Sequence, residues 1–151
     1  MKISVQQEDF DAGAEIRALA RDPKVGALAS FVGVVREVPM TLEHYAGMTE
    51  REIAKIVEEA KARWQVTDCT VIHRYGALRP TDQIVLVVVA SPHRGDAFAA
   101  CEFVMDYLKT RAPFWKKEQT AEGERWVEAR ASDDAAAERW QPQIAHPKKL
   151  G

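Results

Sequence analysis

Residues 105–118 read MDYLKTRAPFWKKE and contain, in order, the end of a helix, a proline break and the start of a strand. Apolar residues repeat at helical spacing before Pro113, which cannot continue a helix. Lys109 therefore falls in the last helical turn, and Lys116 falls in the following strand on the same face as Phe114 and Glu118. A direct passage from helix to strand favours a fold that mixes both element types.

Outside this stretch, the hydrophobic periodicity predicts about seven strands and three main helices. The elements do not alternate strictly as βαβ units, so we predict an α+β fold with a mixed sheet and a C-terminal hairpin that turns at Glu122-Gly123. The predicted strands cover residues 3–5, 26–35, 40–44, 69–73, 84–90, 114–119 and 125–128, and the predicted helices cover residues 11–21, 49–64, 96–110 and, as a short fourth helix, 133–139.

Polar residues that commonly cap helices precede the three main helices. Asp11 and Asp96 each stand where an N-cap is needed, and Thr49 with Glu52 matches a capping box. The apolar positions of each helix then predict its buried face. These positions are Ile16, Leu19 and Ala20 in the first helix, Ile53, Ile56, Val57, Ala60 and Trp64 in the second, and Phe98, Cys101, Met105 and Leu108 in the third.

Length and composition predict one domain over residues 1–140 and a mobile tail over residues 141–151. The formal net charge of -2 argues against non-specific binding to nucleic acid or membranes through bulk charge. The longest apolar run, residues 84–90, is far too short to cross a bilayer, and the first ten residues contain no apolar signal core. Cys69 and Cys101 lack metal-binding spacing and are typical of a reducing cytoplasm.

Several charged positions could carry chemistry, and each also has an ordinary structural interpretation. Lys109 could simply complement the helix dipole, and Lys116 could belong to a solvated hairpin. The turn SPHRGD, residues 91–96, joins a buried strand to a helix and could bind an anion with the help of Arg94, or could be an exposed capped turn. Arg36 has the same two interpretations. The histidines are scattered; we interpret His44 and His73 as structural and expect no metal site.

Six segments taken together resemble the large catalytic subunit of molybdopterin synthase. They occur in the order of that family and cover nearly all of residues 1–140. The segments are SFVGVVR (30–36), TLEHYAGMTE (41–50), VIHRYGAL (71–78), SPHRGDAF (91–98), MDYLKTRAPFWKKE (105–118) and EGERWVEAR (122–130). The lysine-bearing segment is the most specific of the six, and the His-Arg pair ahead of the third helix is a second, independent match.

The resemblance implies a cytoplasmic protein with an α+β fold of the α/β-hammerhead type. It also implies a homodimer that binds one small ubiquitin-like subunit at each end, which makes a heterotetramer. The small subunit ends in a Gly-Gly thiocarboxylate, and its tail enters a pocket and donates sulfur. Two transfers convert cyclic pyranopterin monophosphate into the dithiolene of molybdopterin, with no metal or other cofactor at this step.

By the same resemblance, Lys109 and Lys116 are expected to be catalytic, and His93 and Arg94 are expected to reach the site from the neighbouring subunit. The loop of residues 37–40 is shorter than the glycine-bearing loop usual in the family. The full set of expected substrate-binding residues is Val34, Val35, Arg36, His93, Arg94, Lys109, Lys116, Lys117 and Glu118.

Two other functions are compatible with parts of the sequence. A non-catalytic docking module for a ubiquitin-like tail would explain a pocket but not the paired lysines beside an anion site. A small RNA-binding domain could stack bases on Phe114 and Trp115, although the charge balance disfavours it. Turnover of the pterin substrate would distinguish the first alternative, and a salt-titrated binding assay would distinguish the second.

Overall fold

The computed structural model describes residues 1–120, 123–127 and 131–141. Within these residues the chain forms eight strands and four helices. The strands are β1 (Lys2–Gln6), β2 (Ala27–Val34), β3 (Met40–His44), β4 (Asp68–Arg74), β5 (Gly76–Leu78), β6 (Gln83–Ser91), β7 (Phe114–Thr120) and β8 (Gly123–Val127), and the helices are α1 (Ala12–Leu19), α2 (Met48–Arg63), α3 (Arg94–Thr110) and α4 (Ala131–Glu138).

The strands form two four-stranded sheets. The first has the order β1-β4-β6-β2, in which β1 and β4 run parallel and the other pairs are antiparallel. The second has the order β5-β3-β7-β8 and is antiparallel throughout. This arrangement confirms the predicted α+β fold with a mixed sheet and a C-terminal hairpin.

Helices cover both faces of the first sheet, which explains the continuous apolar run in β6. The helices α2 and α3 pack on one face, where Val85, Val87 and Val89 are buried together with Phe103. The helix α1 packs on the other face against Leu86. Burial of apolar surface stabilises the fold by about 25 cal/mol for each Å² removed from water. Because both faces of β6 are buried, apolar residues are favourable at every position and the strand does not alternate with polar ones.

A smaller core lies between the second sheet and the end of the first. It contains Val35, Met40, Leu42 and Leu78, which are all nearly inaccessible to solvent. The short strand β5, which our reading of the sequence missed, supplies Leu78 to this core and pairs with β3. The two sheets therefore meet where β2 ends and β7 begins.

Two predicted helix caps are wrong. The Thr49 hydroxyl lies inside the first turn of α2 and donates to the carbonyl of Tyr45, while the Glu50 carboxylate accepts from the backbone N–H of Gly47, the true N-cap. The helix α3 begins earlier than predicted, and its Asp96 carboxylate accepts from the backbone of Gln65 instead. By contrast, the Asp11 carboxylate caps α1 as predicted, by accepting from the backbone N–H of Ala14.

Two predicted core positions are also wrong. Phe98 is 67% exposed, because this part of α3 turns Ala97, Ala100 and Cys101 towards the core instead. Ala20 is exposed, because α1 ends at Leu19. In the predicted hairpin, β7 pairs with β8, while Glu122 and Glu128 lie outside the described residues. The predicted tail also lies outside them, apart from Gln141.

Candidate active site

A groove lies where the end of the first sheet, the last turns of α3 and the start of β7 meet. It consists of two adjoining cavities of about 290 and 570 Å³. The smaller cavity is lined mainly by apolar side chains of β2, β6 and α3, and the larger one also by charged side chains of β7. The residues shared by both cavities are Val34, Arg36, His73, Ile84, Leu108 and Lys109.

One row of residues across the first sheet forms the floor of the smaller cavity. Val85 in β6 pairs with Gly33 in β2 on one side and with His73 in β4 on the other. An added Cβ on Gly33 would lie 2.8 Å from Cγ1 of Val85, so only glycine fits there without a shift of its neighbour. The floor is therefore packed tightly enough that position 33 has no room for a side chain.

The last turns of α3 form one wall of the groove and position Lys109. Met105 and Leu108 are buried against the sheet, while Lys109 is exposed and lines both cavities. The residue that follows the helix, Arg111, anchors this end through ion pairs to two carboxylates of α2, at 2.5 Å from Glu59 and 3.5 Å from Glu52. The position of the lysine thus depends on how α2 and α3 pack.

The strand β7 brings Lys116 into the larger cavity. Alternation along the strand places Phe114, Lys116 and Glu118 on the cavity side, and Nζ of Lys116 lies 3.0 Å from Oε1 of Glu118. Trp115 and Lys117 belong to the alternate positions and do not line either cavity. The structure therefore does not bring Lys117 together with the other predicted site residues.

The end of β2 supplies the other wall. The pairing with β6 shifts by one residue between Gly33 and Val34, which is a local bulge. Beyond this bulge Val35 is buried, and its backbone exchanges hydrogen bonds of 2.9 and 2.8 Å with Asp82 and Thr81. Val34, Val35 and Arg36 all line the larger cavity.

His93 and Arg94 do not belong to the same groove. They are exposed at the first turn of α3, whereas Lys109 lies in its last turn. Lys109 stands fifteen positions after Arg94 in the helix, which corresponds to about 22 Å along the helix axis. No side chain spans this distance, so in a single chain the turn of residues 91–96 and the lysines lie at two separate places.

His73 is the titratable residue at the floor of the groove. Its Nδ1 lies 2.9 Å from the carbonyl oxygen of Arg74, and its ring stacks on Phe114 with 3.7 Å between the ring centroids. Burial lowers the pKa of His73 to about 4; the hydrogen bond to Arg74 opposes this effect, and the positive charge of Lys109 adds to it. The imidazole is therefore neutral at physiological pH.

Three ionisable residues of the groove were not predicted from the sequence, namely Glu37, His73 and Asp133. His73 was interpreted as structural, because a lone histidine in a strand gives no signal of a site. Asp133 lines the larger cavity from α4, which packs on α3 through Trp140 and an ion pair between Arg139 and Asp106 at 2.9 Å. Its place depends on tertiary packing, which residue spacing does not reveal.

Three further observations concern metal ligands, thiols and membrane spans. Within residues 1–120, 123–127 and 131–141, no group of three or more His, Cys, Asp and Glu side chains could hold a metal ion. Burial raises the pKa of both Cys69 and Cys101 to about 12, so these thiols are poor nucleophiles. No helix in the described part of the chain is long and apolar enough to cross a membrane.

Comparison with known proteins identifies what this chain is similar to. A family model described as "MoaE protein" matches residues 5–111. The molybdopterin synthase catalytic subunit of Ralstonia nicotianae is 62% identical over 146 residues, which cover 91% of this chain and 83% of that protein. The alignment has 146 positions but covers only 91% of the 151 residues of this chain, which is about 137 residues. The remaining positions are residues of that relative that have no counterpart here.

Solved structures give the same result at the level of the fold. The molybdopterin biosynthesis MoaE protein of Burkholderia ambifaria has a TM-score of 0.82 and 61% identity, covering 93% of this chain and 98% of its own. The molybdopterin synthase of Staphylococcus aureus has a TM-score of 0.77 and 32% identity, covering 83% of this chain and 96% of its own. Sequence and architecture therefore agree along most of the chain.

Proposed function

The chain belongs to the MoaE protein family, and we propose that it is the catalytic subunit of a molybdopterin synthase. It transfers sulfur to cyclic pyranopterin monophosphate from the C-terminal thiocarboxylate of a small ubiquitin-like subunit. The observation that carries this proposal is the groove in which Arg36, Lys109 and Lys116 line adjoining cavities.

The charges of the groove suit these reactants. The substrate carries a phosphate and the sulfur donor ends in a thiocarboxylate, so two anions must come together in one site. Three cationic side chains and three carboxylates line the larger cavity, while Arg36 and Lys109 line the smaller cavity without any carboxylate. Cations that face anions in a partly enclosed groove attract them more strongly than surface lysines do, because less water screens the charges.

The two lysines have different surroundings, which supports different roles. Lys116 is held by Glu118 on the cavity side of β7, and we assign it to the thiocarboxylate carbon, where it polarises that group or moves protons as sulfur attacks the pterin side chain. Lys109 lines both cavities, and we assign it to the negative charge that develops during transfer and to the orientation of the tail. Val34, Val35, Arg36 and Glu118, which line the larger cavity, remain the proposed substrate-binding neighbours of the lysines, whereas Lys117 lines neither cavity and is left out.

We also propose that His93 and Arg94 of a second copy complete the site and hold the substrate phosphate. Their separation from Lys109 by about 22 Å of helix supports this arrangement, because they cannot serve the groove of their own chain. The active assembly is then a homodimer with two small subunits, and we place it in the cytoplasm. Residues 1–140 constitute the proposed catalytic domain.

A reconstitution tests the proposed function. The full chain is mixed with a thiocarboxylated small subunit and cyclic pyranopterin monophosphate, and the dithiolene product is quantified. We expect product with the wild type and a loss of at least about 100-fold with Lys116→Ala or Lys109→Ala, since preorganised charges of this kind contribute that much to catalysis.

The matched control is Lys55→Ala, which removes a lysine that is 67% exposed on α2 and pairs only with Glu52 among the described residues. This variant should retain wild-type rates. Full activity in both Lys109→Ala and Lys116→Ala would refute the assigned roles. A stable complex with the small subunit that forms no product in the wild type would refute the proposed function and favour a docking module.

A further inference from the structure

We propose that His73 is a substrate-binding residue whose Nε2 atom accepts a hydrogen bond from an N–H group of the pterin ring. This contact fixes which way the substrate faces in the groove. The inference rests on the proposed function, because it assigns one contact of the same substrate.

The hydrogen bond at Nδ1 fixes the tautomer of His73. The carbonyl oxygen of Arg74, 2.9 Å away, can only accept, so Nδ1 must carry the ring proton. In the neutral imidazole Nε2 then has no proton and is an acceptor. Stacking on Phe114 holds the ring plane in place. His73 therefore presents one acceptor atom in a fixed direction.

Nε2 of His73 is open to the groove. Within the described part of the chain, the side chain of His73 makes one hydrogen bond, through Nδ1. In the described part of the chain, every side-chain nitrogen or oxygen that solvent cannot reach has a hydrogen-bond partner. Because Nε2 has no partner, it must be accessible to solvent. His73 lines both cavities beside Lys109, which places this acceptor on the floor that the two cavities share.

As a hydrogen-bond acceptor, Nε2 can pair only with a part of the reactants that donates a hydrogen bond. With a pKa of about 4 from burial, about one imidazole in a thousand is protonated at neutral pH, so His73 cannot donate a second proton to an anion. The phosphate and the thiocarboxylate offer acceptors only and would be repelled by Nε2. The reduced pterin ring carries several N–H groups, which complement a bare imidazole nitrogen.

This complementarity orients the substrate. The pterin ring faces the floor of Gly33, Val85 and His73, where the lining is mainly apolar, and the phosphate faces the cations of the larger cavity. The side chain that receives sulfur then lies between the ring and the lysines. A backbone N–H of the incoming Gly-Gly tail is the competing donor. If it made this contact, loss of the acceptor would raise KM for the small subunit and not for the pterin substrate.

Two substitutions of His73 distinguish the contributions of its two ring nitrogens. In His73→Asn the amide stands near the former Nδ1 and can still donate to Arg74, but the acceptor in the groove is lost. In His73→Gln the longer side chain places an amide oxygen near the former Nε2. The matched control is His44→Asn, because His44 also lies beside Phe114, with Nδ1 held by Thr49, but lines neither cavity.

The test uses the reconstituted synthase and measures KM for each reactant separately. We expect His73→Asn to raise KM for cyclic pyranopterin monophosphate about tenfold without changing KM for the thiocarboxylated small subunit, which corresponds to one lost hydrogen bond. His73→Gln should recover most of this loss, and His44→Asn should not change either KM.

An unchanged substrate KM in His73→Asn would overturn the inference. A rise in KM for the small subunit, alone or to the same extent, would also overturn it and assign the contact to the tail. Failure of His73→Gln to recover any of the loss, with both variants folded by circular dichroism, would reduce His73 to a structural role. Each of these outcomes requires an active wild type, so they differ from failure of the proposed function, in which the wild type itself forms no product.

Discussion

Lys109 and His73 line the same groove but offer opposite hydrogen-bonding chemistry. The ammonium of Lys109 stands at the exposed end of α3 and can only donate, whereas the imidazole of His73 is packed against Phe114 and presents an acceptor. The resemblance implied a site role for the lysine but not for the histidine. The histidine owes its environment to the stacking on Phe114, which arises only after β4 and β7 come together, whereas its bond to the Arg74 carbonyl is local to β4.

The buried imidazole predicts how stability depends on pH. Its pKa of about 4 in the folded chain lies below the ordinary value of 6.5, so between these values the unfolded chain binds a proton that the folded chain does not. The free energy of unfolding therefore has its full value, as far as His73 affects it, above about pH 6.5. It decreases by up to about 3 kcal/mol as pH falls towards 4.

Urea unfolding of the wild type and His73→Gln at about pH 7 and about pH 4.5 measures this contribution. The wild type should lose more unfolding free energy than the variant over this interval, because glutamine does not titrate. Parallel losses in the two proteins would show that His73 does not have a lowered pKa.

Among the elements, β2 shapes the groove through a residue without a side chain. Gly33→Ala would place a Cβ 2.8 Å from Val85 in a row that is already packed. Overpacking of this kind costs about 1–3 kcal/mol of unfolding free energy. We also expect a higher KM for the pterin substrate, because the shifted Val85 or β2 reduces the space beside His73.

The control is Gly13→Ala in α1, where the nearest atom to an added Cβ is the flexible end of Arg17 at 3.2 Å. Since alanine favours helices, this variant should be as stable as the wild type or more stable, with an unchanged KM. If Gly33→Ala has wild-type stability and KM, the floor of the groove is more tolerant than the structure implies.

The strongly periodic elements could be predicted from the sequence, and their ends could not. The face of α2 that contains Ile53, Ile56 and Val57 is buried as predicted, because an amphipathic helix that packs on a sheet turns its apolar face towards it. The caps at Thr49 and Asp96 were wrong, because competing partners at Tyr45 and Gln65 are supplied by the fold. The short strand β5 gives no periodic signal of its own.

At the scale of the whole molecule, the two ends of α3 carry the two halves of the proposed site. Arg94 and Lys109 are separated by about 22 Å of helix, a relation that the sequence determines once the helix is predicted. The convergence of Arg36, Lys109 and Lys116 depends instead on how β2, α3 and β7 meet, so the sequence alone could suggest it only through resemblance. Hence a single chain contains an incomplete reaction centre in this account.

A hybrid dimer tests this central claim most directly. Lys116→Ala and Arg94→Ala homodimers should each have lost most activity, whereas a hybrid purified with two different affinity tags contains one groove with an intact lysine and an intact partner arginine. We expect the hybrid to recover about half of the wild-type rate of dithiolene formation, since one of its two symmetric sites is complete. A hybrid as inactive as its parents would refute the shared site, because it would mean that Arg94 serves its own chain.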